Sequence, residues 1–142
     1  MENKETRSMY IAEAVAINQV FGETKFGDLS IDSISSLLEF KFELSKIVKE
    51  RDEYIKNVVE EVKTDEFKEL SDKEDKTEEE KEQFESLTKE INNKANEIIN
   101  KYHNQIVEIN VSKLNKNDFY TFCKTNNFTM TVIEFLYNKL VK

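Results

Sequence analysis

The sequence has no proline, no tryptophan, two glycines, one cysteine and one histidine. Each shortage excludes something. Tight turns depend on glycine and proline, so a sandwich or barrel of many short strands is not expected. A single cysteine, Cys123, permits no internal disulfide and favours a reducing compartment. A single histidine, His103, rules out three-histidine and zinc-finger ligand sets by counting alone. Loops that cradle phosphate need glycines that let backbone amides approach the anion, and Gly22 and Gly27 in FGETKFGD form no such loop. Long apolar runs are also missing. The stretch from Met9 to Phe21 is flanked by Glu2 and Glu5 and interrupted by Glu13, whereas about 20 apolar residues are needed to cross a bilayer. It reads as a buried helix, and the chain as a soluble cytoplasmic protein without a membrane partner.

What is present points to helices. Hydrophobic residues make up 38% of the 142 positions and charged residues 35%, a balance suited to long helices with one wet face. Ten phenylalanines and five tyrosines supply core material. The formal charge of −8 repels phosphate backbones, and no basic patch offsets it, so nucleic acid is not an expected partner.

Along the chain, Met9, Ala12, Ala16 and Val20 recur at helical spacing and predict a first helix over about Ser8 to Phe21. Gly22 then suits a left-handed helix terminus, and Gly27 with Asp28 a turn. A long helix is predicted from about Asp32 to Val62, where Ile34, Leu37, Leu38, Leu44, Ile47, Val48, Ile55, Val58, Val59 and Val62 keep to steps of three and four. Lys63 to Gln83 carries ten acids against five lysines and reads as a solvated hairpin tip. Its acids at Asp72, Glu74 and Glu78 lack calcium-loop spacing and the turn glycine. Thr77 and Glu80 form a capping box that opens a third helix with Phe84, Leu87, Ile91, Ala95, Ile98 and Tyr102 on one face. The short connector folds the two long helices back antiparallel as a coiled-coil-like arm.

The period then changes. Val107, Ile109 and Val111 alternate with Glu108, Asn110 and Ser112, which is strand periodicity. A strand needs a partner, and the candidates are Glu23 to Leu29 or a neighbouring subunit. Two short helices close the chain, about Lys116 to Lys124 and Val132 to Val141, with Asn117 and Thr131 as caps and Asn126-Asn127 as the left-handed turn between them. The expected fold is mainly α: a long antiparallel helical hairpin with an N-terminal helix, one short β element and a C-terminal helix pair. It is organised as a single domain, with the arm at about 32–104, its acidic tip at about 63–83 and a C-terminal subdomain at about 105–142.

No catalytic group stands out. With 29 acids, carboxylates at helical spacing read as a hydrated face, and no catalytic, cofactor-binding or metal-binding residue is nominated. Cys123 lies at helical spacing beside Phe119 and Phe122, as core cysteines do. The segment from Phe122 to Ile133 has helix–turn–helix rhythm. A DNA-reading second helix, however, carries basic and polar residues at its start, where this one has Met130, Thr131, Val132 and Glu134.

From Leu29 onward the order of features resembles a family of small phage-encoded proteins of unknown function, found near virion-assembly genes. The resemblance runs through a helix starting near Ser30, the charged arm LSKIVKERDEYIKNVV, a variable acidic middle and a second long helix. It continues into the I-x-I-x-V-x-x-L-like stretch ending at Leu114 and the terminal pair DFYTFCKTNNF and VIEFLYNKLV. About three-quarters of the chain is covered, and the apolar first helix lies outside it. The long amphipathic hairpin, the edge-capable strand around Ile109 and the wide apolar N-terminal helix point to a non-enzymatic phage protein that binds protein partners, as a virion component or assembly adaptor or chaperone, in the host cytoplasm or virion, with virion subunits or a second copy as partners. The expected contact residues are Val107, Ile109 and Val111 for strand pairing and Met9, Ile11 and Val15 for helix docking. An alternative role is a small acidic inhibitor of a host nucleic-acid-binding or defence enzyme. It would act through the patch Asp72, Glu74, Asp75, Glu78, Glu79, Glu80 and Glu82. A helix–turn–helix regulator is the third.

Overall fold

The computed structural model of the protein describes residues 4–141. The element order is β1 (Lys4–Tyr10), α1 (Ile11–Val20), a short 3-10 turn (Phe21–Glu23), α2 (Ile31–Val62), α3 (Asp65–Asp72), α4 (Glu78–His103), β2 (Ile106–Ser112), α5 (Lys116–Asn126) and α6 (Met130–Leu140). The chain divides into two compact units. One comprises Met1–Lys49 with Ile106–Lys142, the other Glu50–Gln105. The fold is mainly helical, with the expected hairpin and C-terminal helix pair.

In the first unit, β1 and β2 pair antiparallel, with Glu5 opposite Val111, Arg7 opposite Ile109 and Met9 opposite Val107. That register puts Met9, Ile109 and Val111 on one buried face and leaves Thr6, Ser8, Glu108 and Asn110 exposed on the other. The strand's partner is therefore the N-terminal segment, and not Glu23 to Leu29 as expected from the sequence. The latter is held by a side chain instead: Asn126 Oδ1 accepts the Lys25 N–H at 2.6 Å and Asn126 Nδ2 donates to the Lys25 carbonyl at 2.7 Å. One amide thus satisfies both backbone groups of Lys25.

The first helix is correspondingly shorter than predicted. It begins at Ile11, after the Tyr10 N–H donates to Glu13 Oε1 at 2.9 Å. Its inward residues are Ile11, Ala14 and Ile17, followed by Phe21, whereas Ala12 and Ala16 are exposed. Met9 fits helical spacing equally well, but the ladder supplies it with cross-strand neighbours, and tertiary pairing overrides the local pattern.

Phe21 sits where the layers meet. Its ring packs edge-on to Phe40 at 5.4 Å and against Phe122 at 5.7 Å. Phe119, Leu136 and Leu140 of the C-terminal pair are fully buried, as are Leu37 and Leu44 of α2. The start of α2 is tied to α5 through Asp118, whose Oδ2 accepts hydroxyl hydrogens from Ser33 and, at 2.9 Å, from Ser30. The hydrogen bond from Ser33 above all keeps the Asp118 carboxyl below its ordinary range.

The caps of α5 and α6 are Asn115 and Thr129, accepting the N–H groups of Asp118 at 2.8 Å and Val132 at 3.4 Å. The predicted caps Asn117 and Thr131 each lie two positions further on, inside the first turn. α5 starts at Lys116 as predicted, whereas α6 starts at Met130, two residues before the predicted Val132. Asn127 is left-handed at φ 57°, as its place in the turn required.

The second unit is the expected hairpin. Tyr54 and Tyr102 stack at 4.1 Å where α2 and α4 run antiparallel, and Val58, Leu70, Ile91 and Ala95 are buried. Thr77 and Glu80 form the capping box, each accepting the other's N–H at 3.1 Å. The acidic connector contains a helix the sequence did not suggest. Thr64 caps α3 by accepting the Phe67 N–H at 3.1 Å, and Phe67 stacks on Phe84 at 5.2 Å. Two apolar residues three apart, Phe67 and Leu70, are enough to seat a helix this short once α4 offers a surface.

The two glycines separate here. Gly27 has φ +64°, and a Cβ there would lie 2.8 Å from Thr125 Oγ1. Gly22 lies in the 3-10 turn without the positive φ expected of it, and a Cβ would meet nothing within 4 Å. Gly27→Ala is expected to destabilise the protein by at least about 1–2 kcal/mol, the cost of a left-handed alanine, and by less in a Thr125→Ala background. Gly22→Ala is expected to stabilise it by about 0.4–1 kcal/mol through the unfolded chain. Urea unfolding of the four variants measures both signs.

Candidate protein-binding surface

The six contact residues read from the sequence are largely occupied within the first unit. Met9, Ile11, Ile109 and Val111 are buried, and Val15 and Val107 are half-buried. The strand residues expected to recruit a partner already have one in β1. The alternating apolar pattern of β2 reports a face that must be covered, and Ile109 and Val111 are covered within the chain.

One apolar surface that stays open lies on the C-terminal pair. Phe119, Phe122 and Cys123 of α5 and Leu136 and Leu140 of α6 face the core. The turn at Asn127 sets the two helices side by side, so Tyr120 and the outward side of α6 frame a shallow depression of about 610 Å³. Its lining is Tyr120, Met130, Ile133, Glu134, Tyr137 and Asn138. Met130 is 71% exposed and Tyr120 52%. Ile133 and Tyr137 form the half-buried floor, and Tyr137 is fixed edge-on to Phe119 at 5.8 Å. Apolar walls with a flexible methionine at the rim suit an inserted apolar side chain, and Glu134 supplies a negative charge beside it.

None of Tyr120, Met130 or Tyr137 was singled out from the sequence. The signal was there. Met130, Val132, Ile133, Phe135, Leu136, Tyr137 and Leu140 make α6 apolar over most of its circumference, more than one buried face requires. The helix–turn–helix rhythm of this segment is formed, but the start of its second helix presents Met130, Thr131 and Glu134. Lys139 is engaged within the chain, donating to the Ser8 carbonyl at 2.6 Å and lying 5.5 Å from the centre of the Phe135 ring.

The acidic patch is dispersed over the connector and the first turns of α4. Asp72, Glu74, Asp75, Glu78, Glu79 and Glu82 are exposed. Glu80 is half-buried and committed to its cap and to an ion pair with Lys73. Among the described residues, no cluster of His, Cys, Asp and Glu is placed to hold a metal ion, and no helix is long and apolar enough to cross a membrane. Burial pushes the Cys123 thiol up to about 11, so it carries little thiolate at neutral pH.

His103 closes α4 and accepts the Arg51 Nε–H through its own Nε2 at 3.1 Å. That bond requires an unprotonated Nε2. Burial, and then the Arg51 charge, hold the imidazole below its ordinary 6.5. The unfolded chain therefore takes up this proton first, and the stability due to His103 is present above about pH 6.5 and lost as pH falls below it. The unfolding midpoint is expected to drop between about pH 7.5 and about pH 5.5, and to drop less in His103→Gln, which keeps an acceptor that does not titrate. Parallel slopes for the two proteins would remove His103 from the account.

No family model matches this sequence, and neither a curated protein nor a solved structure does.

Proposed function

We propose that this protein is a non-enzymatic binding protein that receives an apolar side chain of a partner protein in the α5–α6 depression. We assign it to the virion or its assembly as a structural component or adaptor. The observation that carries the binding role is the exposure of Met130 and Tyr120 around the apolar floor of Ile133 and Tyr137. A rim methionine at 71% exposure is surface that a monomer gains nothing by presenting, and buried aromatic anchors dominate the energetics of protein interfaces. Glu134 favours a partner segment with Lys or Arg next to its anchor. The virion setting rests on the family resemblance from Leu29 onward.

The test is sedimentation of native lysate through a density gradient, following wild type and a Tyr120→Asp/Met130→Asp variant by mass spectrometry. Wild type is expected to travel with a larger particle and the variant as a free chain of 16.8 kDa. Loss of even one anchor costs about 2 kcal/mol or more, roughly 30-fold in affinity. Light migration of both proteins would defeat the proposal. The exposed acids of the connector support a second reading, an inhibitor that fills a basic groove. In that case Glu78→Gln, Glu79→Gln and Glu82→Gln together release the protein from its target, and the depression variants do not.

A further inference from the structure

The chain contains three methionines and one cysteine. Met1 lies outside the described residues. Of the other three sulfurs, two are enclosed. Met9 is 3% exposed on the covered face of the β1–β2 ladder, and Cys123 is 5% exposed on the core side of α5. The Cys123 thiol, pushed up to about 11 by burial, carries almost no nucleophilic thiolate at neutral pH. Met130 is the opposite case: it is 71% exposed at the first position of α6.

Its place gives that exposure a consequence. Met130 stands with Tyr120 at the rim of the α5–α6 depression, and Glu134 follows one helical turn later on the same side of α6. Adding one oxygen to the thioether gives a sulfoxide, which is polar and accepts hydrogen bonds. The rim then presents the sulfoxide and the Glu134 carboxylate together, two acceptors facing an apolar anchor that has no hydrogen to donate. Burying such an oxygen without a hydrogen bond is costly. The fold itself does not depend on the Met130 side chain, because α6 is capped by the Thr129 hydroxyl and held through Leu136 and Leu140.

We propose that Met130 is a peroxide-sensitive modification site, and that its oxidation to the sulfoxide switches off the α5–α6 depression. The switching half of this proposal rests on the binding role assigned above. The lone pair of the thioether sulfur attacks one oxygen of hydrogen peroxide, and the O–O bond breaks as the S–O bond forms. Sulfur loses two electrons and the peroxide gains them. The proton on the transferred oxygen passes to the departing hydroxide, which leaves as water. Two thiols of a methionine sulfoxide reductase reverse the step, releasing the oxygen as water and becoming a disulfide.

The full chain is treated with dilute hydrogen peroxide and followed by mass spectrometry of its tryptic peptides. Cleavage after Lys4, Arg7, Lys25, Lys116, Lys124 and Lys139 places Met1, Met9, Cys123 and Met130 in four separate peptides, so each sulfur reports alone. Met130 is expected to gain oxygen at least about tenfold faster than Met9, with Cys123 unchanged. The thermal midpoint is expected to stay near that of the untreated protein, and the rate difference to vanish in urea, where Met9 is freed. Oxidised wild type returned to native lysate is expected to leave the larger particle, its affinity lowered at least about fivefold, and to rejoin it after reductase treatment. Met130→Leu, compared only with its own untreated form, is expected to lose this sensitivity. Met9 oxidising as fast as Met130 in the folded protein, or Cys123 oxidising first, overturns the site. Retention of oxidised wild type on the particle, or release of Met130→Leu by peroxide, overturns the switch. Light migration of untreated wild type defeats the binding role and the switch with it, and the peptide map then decides the modification site by itself.

Discussion

Two strands alone cannot hide an apolar face, and the first unit is organised around that requirement. β1 and β2 bring together residues as distant as Thr6 and Asn110, 104 positions apart. Their ladder presents Met9, Ile109 and Val111 on one side. Each such side chain contributes about 1.5–3 kcal/mol only when it is covered. The aromatic group of Phe21, Phe40 and Phe122 joins the turn after α1 to α2 and α5, and the fully buried leucines of α2 and α6 complete the core. Without β1, the edge of β2 that it pairs would present unpaired backbone N–H and C=O groups.

The same core limits where function can lie. Residues committed to it are unavailable to a partner, which removes most of the apolar positions conspicuous in the sequence. The apolar positions left outside the core include Tyr120 and the outward side of α6, and Ile31, Leu38 and Phe42 of α2.

Legibility followed the range of the interactions concerned. The long helices, the Thr77–Glu80 box and the left-handed Asn127 arise from contacts within a few residues, and spacing and residue type report them directly. The N-terminal strand was not legible, because Met9 satisfies helical spacing as well as strand alternation and only β2 decides between them. Asn126 pairs with both backbone groups of Lys25, a contact across 101 positions that no pattern in Glu23 to Leu29 announces. α3 was hidden in a charge-dense run because two apolar residues suffice once Phe84 is there to stack on.

The candidate surfaces show the same division. The sequence by itself determined the helical class, the hairpin, the acidic connector and the scarcity of groups for metal or nucleophilic chemistry, since these depend on composition and local periodicity. Tertiary structure alone decided that β2 pairs within the chain, that Met9, Ile11, Ile109 and Val111 are core, and that Met130, Tyr120, Ile31 and Phe42 remain outside. Periodicity identifies an apolar side chain, but whether another part of the chain covers it depends on the packing of elements far apart in sequence.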